Sequence, residues 1–133
     1  MDREIYEFTQ AVGAEEPQPG KEVYPMFRRF FPRSNYFLLG GKFLLVKISR
    51  SQRPFWGIGK KFVDILNQFD FFLVLLVSER EGWAFSKSEV NSNIDSHRWP
   101  HRQKDDNYKI NPPLPDKNSF SNPRAFLNKI GIA

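Results

Sequence analysis

The spacing of apolar residues changes repeatedly along this chain, and each change marks an element. Behind Asp2, a residue suited to cap a helix, Ile5, Phe8 and Val12 recur on one helical face until Gly13 ends the run. Ala14 to Gly20, rich in proline and glutamate, predicts a loop. Within Tyr24 to Phe31, the MFRRFF stretch bracketed by Pro25 and Pro32 suits a short helix or an irregular strand. Asn35 to Ser49 reads as two strands joined at Gly40-Gly41, because glycine reaches the positive φ that a two-residue hairpin turn requires. From there the spacing turns helical, at Ile58, Phe62, Ile65, Leu66 and Phe69, before Phe71 to Val77 forms a near-continuous apolar run of strand length. Strand, crossover helix and strand make a βαβ unit with parallel strands and a right-handed crossover.

Beyond Val77, Ser78 to Gly82 is a polar turn and Trp83 to Phe85 a short strand. Ser86 and Glu89 stand at capping-box spacing, so a helix follows with Val90 and Ile94 facing inward. Asp95 to Asp106 is polar and aperiodic, Tyr108 to Ile110 predicts an edge strand, and residues 111–120 form a proline-rich loop. Ser121 or Asn122 caps a last helix with Pro123 in its first position and Phe126, Leu127 and Ile130 docking it. The class expected is α/β: a single mixed sheet with a hairpin and a parallel βαβ core, flanked by helices, in one domain over residues 1–133.

Composition narrows the setting. With 40% hydrophobic and 16% aromatic residues the chain buries a core, and its 14 phenylalanines serve first in packing. The absence of cysteine excludes disulfides and thiolate metal sites and suits a reducing compartment. The acidic start, MDREIYEF, has no apolar signal region, and Phe71 to Val77 is too short to span a bilayer. The expectation is a soluble, cytoplasmic protein with no membrane partner.

Charge changes the picture more. Between Glu22 and Asp64 there is no acid, while Arg28, Arg29, Arg33, Lys42, Lys47, Arg50, Arg53, Lys60 and Lys61 contribute nine positive charges. Residues 1–22 hold six acids against two bases and residues 64–133 nine of each, so the net +5 resides in the middle third. Clustered cations suit a polyanion, because neutralising phosphates releases counterions. Some of these cations have the acidic N-terminal segment as an alternative partner.

The loop SRSQRPFWGIGKK carries the most specific binding signal. Ser49, Arg50, Ser51 and Arg53 offer hydroxyl and guanidinium donors. Gly57 and Gly59 free the backbone at a helix start, where N–H groups and the dipole favour an anion, and Lys60 and Lys61 extend the positive field. Lys42 and Lys47 on the hairpin complete the nucleic-acid-binding set. Trp56 is the candidate for stacking on an unpaired base, with burial against the core as its alternative and as the expectation for Phe55. GIG lacks the pattern of a Walker or dinucleotide loop. His97 and His101, separated by Pro100 and with no cysteine nearby, read as solvated loop residues, and no nucleophile-elbow spacing is present.

A hairpin whose second strand ends in Val46-Lys47-Ile48-Ser49-Arg50-Ser51, followed by a crossover helix and a buried strand, resembles the restriction-endonuclease-like (PD-(D/E)XK) nuclease superfamily over roughly residues 35–90. The resemblance implies a restriction-endonuclease-like sheet flanked by helices. In active members it implies magnesium-dependent phosphodiester cleavage, with carboxylates holding the metal and a lysine offsetting developing charge. Lys47 matches the motif lysine and is the candidate catalytic residue. Leu45 stands where the motif has an acid, and Asn35 or Ser34 where it has an aspartate. Relocated metal ligands are sought at Asn35, Glu22 and Asp64, with Glu7 on the first helix.

Three functions follow as expectations. The first is a nucleic-acid-binding protein of nuclease-like fold, favouring DNA over RNA, and acting as a homodimer or a subunit of a larger complex. The second is a magnesium-dependent DNA endonuclease of a restriction or mobile-element system. The third is a protein-interaction module for an acidic partner.

Overall fold

A computed structural model of the chain describes residues 2–17, 29 and 36–132. Helix α1 (Arg3–Val12) buries Ile5, Phe8 and Val12 as their spacing requires, and Gly13 closes it. Asp2 occupies its N-cap position, but the carboxylate bonds to no helix amide and reaches Arg50 instead. Strands β1 (Tyr36–Leu39) and β2 (Lys42–Ile48) form the hairpin, turning where Gly40 and Gly41 adopt φ of 57° and 78°. Both central residues of such a turn need positive φ, which glycine adopts without a Cβ penalty. The MFRRFF stretch lies outside the described residues.

The next strand departs from the helical spacing expected from Ile58 onward. Trp56–Gly59 forms β3, and helix α2 starts only at Lys60, spanning Lys60–Leu66. The run from Ile58 to Phe69 joins two periods: Trp56 and Ile58 face inward at the strand period of two, and the helical period begins with Phe62. Strand β4 (Phe71–Leu76) then pairs in parallel with β2, Phe43 opposite Phe71 through Ile48 opposite Leu76, which completes the expected βαβ unit.

Strand β5 (Gly82–Ser86) runs antiparallel to β4. A Cβ on Gly82 would overlap the Leu75 carbonyl oxygen, so this approach requires glycine. Helix α3 (Lys87–Asp95) begins in the capping box of Ser86 and Glu89. Two short strands, β6 (His101–Arg102) and β7 (Asn107–Ile110), follow. A 3-10 turn (Asp116–Asn118), strand β8 (Ser119–Phe120) and helix α4 (Pro123–Lys129), capped by the Asn122 side chain, complete the described chain.

The architecture is mixed α/β, but the expectation of a single sheet is corrected. A five-stranded mixed sheet in the order β1-β2-β4-β5-β8 is accompanied by a three-stranded antiparallel sheet, β3-β7-β6. The Tyr108 segment is therefore the middle strand of the second sheet and not an edge. Alternation along β2 and β4 divides the core between the faces of the main sheet. Leu44, Val46, Val74 and Leu76 meet Phe8, Phe120 and Phe126 on one side. On the other, Phe43, Leu45, Leu73 and Leu75 meet Trp56, Ile58, Val63, Val90 and Trp99. Each such side chain contributes about 1.5–3 kcal/mol when fully buried. No helix among the described residues is long and apolar enough to cross a membrane.

Candidate nucleic-acid interface

Where β2 ends, Ser49 is buried and its amide donates to the Leu76 carbonyl at the end of β4 (3.0 Å). Its hydroxyl accepts the Phe55 amide (3.2 Å), so the loop 50–55 is closed at its base by one side chain. One residue further, Arg50 donates from Nε to Glu4 Oε2 (2.8 Å) and from Nη2 to Glu4 Oε1 (2.7 Å) and Asp2 Oδ1 (2.9 Å). This forked pairing ties the loop to the start of α1. The Arg50 hydrogen bond holds the Glu4 carboxyl down at about 2, and Glu4 followed by Asp2 raises the guanidinium above its usual range.

The clamped loop leaves Ser51, Gln52 and Arg53 exposed, and Phe55 is 61% exposed where burial was expected. Its neighbour Trp56 is 4% exposed, donates Nε1–H to the Leu76 carbonyl (3.2 Å) and packs edge-on against Trp83 at 5.7 Å. The aromatic pair thus divides its roles by strand alternation: Trp56 and Ile58 point into the core, so Phe55 points out. The indole N–H of Trp83 is buried and has no acceptor among the described residues.

Lys47 lies in the last turn of the pleat on β2, on the same face as Phe43 and Leu45, and in register with Leu75 and then Trp83 across the sheet. It is partly buried and has no carboxylate partner among the described residues, and burial lowers its pKa. A cation kept partly dehydrated without a counter-ion gains most when an anion arrives. Leu45, two residues earlier on that face, is 1% exposed and belongs to the core.

The other proposed contacts are spread differently. Lys42 pairs with Asp70 (2.8 Å) and Lys60 with Asp64 (2.9 Å), the latter raising the Lys60 pKa. Lys61 is exposed and, with Arg53 and Lys47, makes no ion pair among the described residues. The anion site expected at the helix start is occupied by protein. Gly57 and Gly59 pair with Lys109 and Asn107 in the second sheet, and the Lys60 amide donates to the Asp106 carbonyl (2.9 Å). Among the candidate metal ligands, Glu22 and Asn35 lie outside the described residues, and Asp64 is exposed and held by Lys60. Glu7 pairs with Arg3 on α1. No group of three His, Cys, Asp or Glu side chains among the described residues is arranged to hold a metal ion. His97 is exposed, and His101 sits in β6 against Asp106 (2.8 Å).

The structure therefore gathers Lys47, Arg53 and Phe55 at the carboxyl end of the parallel β2–β4 pair, where open α/β sheets commonly place ligands. Phe55 was missed because its exposure depends on β3 being a strand. The period-two alternation of Trp56-Gly57-Ile58-Gly59 was the available signal. No protein-family model, no curated protein and no solved structure matches the chain.

Proposed function

We propose that the protein binds nucleic acid, with DNA preferred, through the loop 50–55 and Lys47. The observation that carries this is an exposed Phe55 beside Arg53, which makes no ion pair among the described residues, on a loop whose two ends are already tied down by Ser49 and Arg50. An ordered loop loses little conformational entropy on binding. Its aromatic supplies a stacking surface for an unpaired base and its cations meet the backbone, the combination that single-strand binders use. Arg50, engaged with Asp2 and Glu4, acts as a strut for this surface, while Lys42 and Lys60 are engaged elsewhere with Asp70 and Asp64.

The nuclease-like reading keeps Lys47 in place of the motif lysine, on the second strand of a hairpin that leads into a parallel crossover. With Leu45 packed in the core, binding without cleavage is favoured over magnesium-dependent endonuclease activity. Labelled single-stranded and duplex DNA are incubated with the protein in magnesium or in EDTA, beside Arg53→Glu. Retention of single strands that is weakened by Arg53→Glu supports binding. Magnesium-dependent nicking would replace it with the endonuclease. Failure to retain any nucleic acid at low salt overturns it in favour of an acidic protein partner.

A further inference from the structure

The exposed ring of Phe55 stands at the head of an outward row on β3, because the alternation that sends Trp56 and Ile58 inward turns Phe55, Gly57 and Gly59 outward. A glycine inside a strand gives up packing, and it marks a positive φ, a close approach within the chain or the approach of a ligand. Gly59 has a cause within the chain, since a Cβ there would lie 2.9 Å from Phe62 Cδ2. Gly57 has none. Its φ is not positive, and the nearest atoms of the described residues to a Cβ built on it, Asn107 Nδ2 and the Tyr108 carbonyl oxygen, are 3.8 Å away, an ordinary contact.

The side chains around Gly57 suit a flat polar ring. Phe55 is 61% exposed. Successive outward positions on a strand lie about 6.6–6.8 Å apart, so the bare Gly57 leaves room beside Phe55 for a second ring at a contact distance of about 3.5–4 Å. Asn107, in register with Gly59 across the sheet, brings its side-chain amide beside both glycines, with Nδ2 nearest Gly57 and Oδ1 3.4 Å from the Cβ position of Gly59. That amide is half-buried and makes no hydrogen bond among the described residues, so it presents a donor and an acceptor together. An unpaired nucleobase offers the matching pair on its Watson–Crick edge and a face for stacking.

We infer that the outer face of β3 over Gly57 seats one unpaired base, stacked on Phe55 and hydrogen-bonded through its edge to the Asn107 amide, while the backbone of the strand runs past Arg53. The inference rests on the nucleic-acid reading and carries that surface from the loop 50–55 onto the second sheet, with Phe55 common to both. Every base presents a donor beside an acceptor, so the seat tolerates any sequence.

A short labelled thymidine oligomer is titrated with the full chain and with Gly57→Val, Phe55→Ala, the double variant and Asn107→Ala, each melted in parallel. Valine is the better strand former and meets no close neighbour at position 57, so Gly57→Val is expected to leave Tm unchanged or higher. By filling the seat it is expected to raise the dissociation constant about 5- to 140-fold, as loss of the Phe55 ring does. The double variant is expected to bind no more weakly than the weaker single variant, because both changes remove the same stacked base. Asn107→Ala is expected to weaken binding about 2- to 12-fold, the effect of one hydrogen bond. A lowered Tm in Gly57→Val, or additive losses in the double variant, overturns the seat. Weakening by Phe55→Ala while Gly57→Val and Asn107→Ala bind as the parent does refutes the seat alone. No retention of the oligomer by the parent chain refutes the nucleic-acid reading as well.

Discussion

Replacing Phe55 by alanine separates recognition from stability, because its neighbour supplies the contrast. About two-fifths of the Phe55 surface is covered, and full burial of phenylalanine is worth about 1.5–3 kcal/mol, so truncation removes about 1 kcal/mol at most. For a domain of this size that lowers Tm by only a few degrees, about 2–5 °C. Stacking of a base on an exposed aromatic contributes about 1–3 kcal/mol, so the dissociation constant for single-stranded DNA should rise by about 5- to 140-fold. Trp56→Ala, by contrast, removes a side chain that is 4% exposed together with its bond to Leu76, and should destabilise the fold by about 3–5 kcal/mol. The assay is fluorescence anisotropy of a short labelled single strand at about 50 mM salt, with thermal melting of the same preparations. An affinity unchanged in folded Phe55→Ala refutes the stacking role.

Lys47→Met should raise stability by about 1 kcal/mol, because it removes a partly dehydrated charge that has no counter-ion among the described residues, while weakening nucleic-acid binding; melting and anisotropy together test this opposed pair of effects. With Lys47 and Arg53 as the phosphate contacts, log affinity for single strands should fall with log salt at a slope of about −1.4, and Arg53→Gln should make it shallower by about 0.7. The Glu4 carboxyl is depressed from 4.5 to about 2 by Arg50, so the stability it lends α1 is complete above pH 4.5 and lost as pH falls towards 2. Hydrogen exchange in α1 and the loop should accelerate over that interval, and Arg50→Gln should remove the dependence. Gly82→Ala should destabilise by about 3 kcal/mol in a denaturant titration, since its Cβ would overlap the Leu75 carbonyl.

What could be read along the chain was whatever neighbouring residues encode by themselves. The Gly40-Gly41 turn, the apolar run of β4, the capping box at Ser86 and the Asn122-Pro123 start of α4 each depend on a few adjacent side chains and their φ preferences, and each formed where its local chemistry required. The parallel pairing of β2 with β4 followed from strand, crossover and strand in order. The charge excess between Glu22 and Asp64 was equally visible, but its distribution in space was not. Arg50 and Glu4 are 46 residues apart and Lys42 and Asp70 are 28 apart, so which cations are neutralised depends on which helix lands beside which strand end. The second sheet arose in the same way: four residues, Trp56–Gly59, become a strand because β7 supplies hydrogen-bonding partners fifty residues later, and that pairing turns Phe55 outward. Pairing between distant segments also pinned Asn118 to Ala84 and Glu89. Periodicity is a property of neighbours and survives in the order of residues, whereas exposure and charge pairing are properties of surfaces that exist only once the sheets have closed.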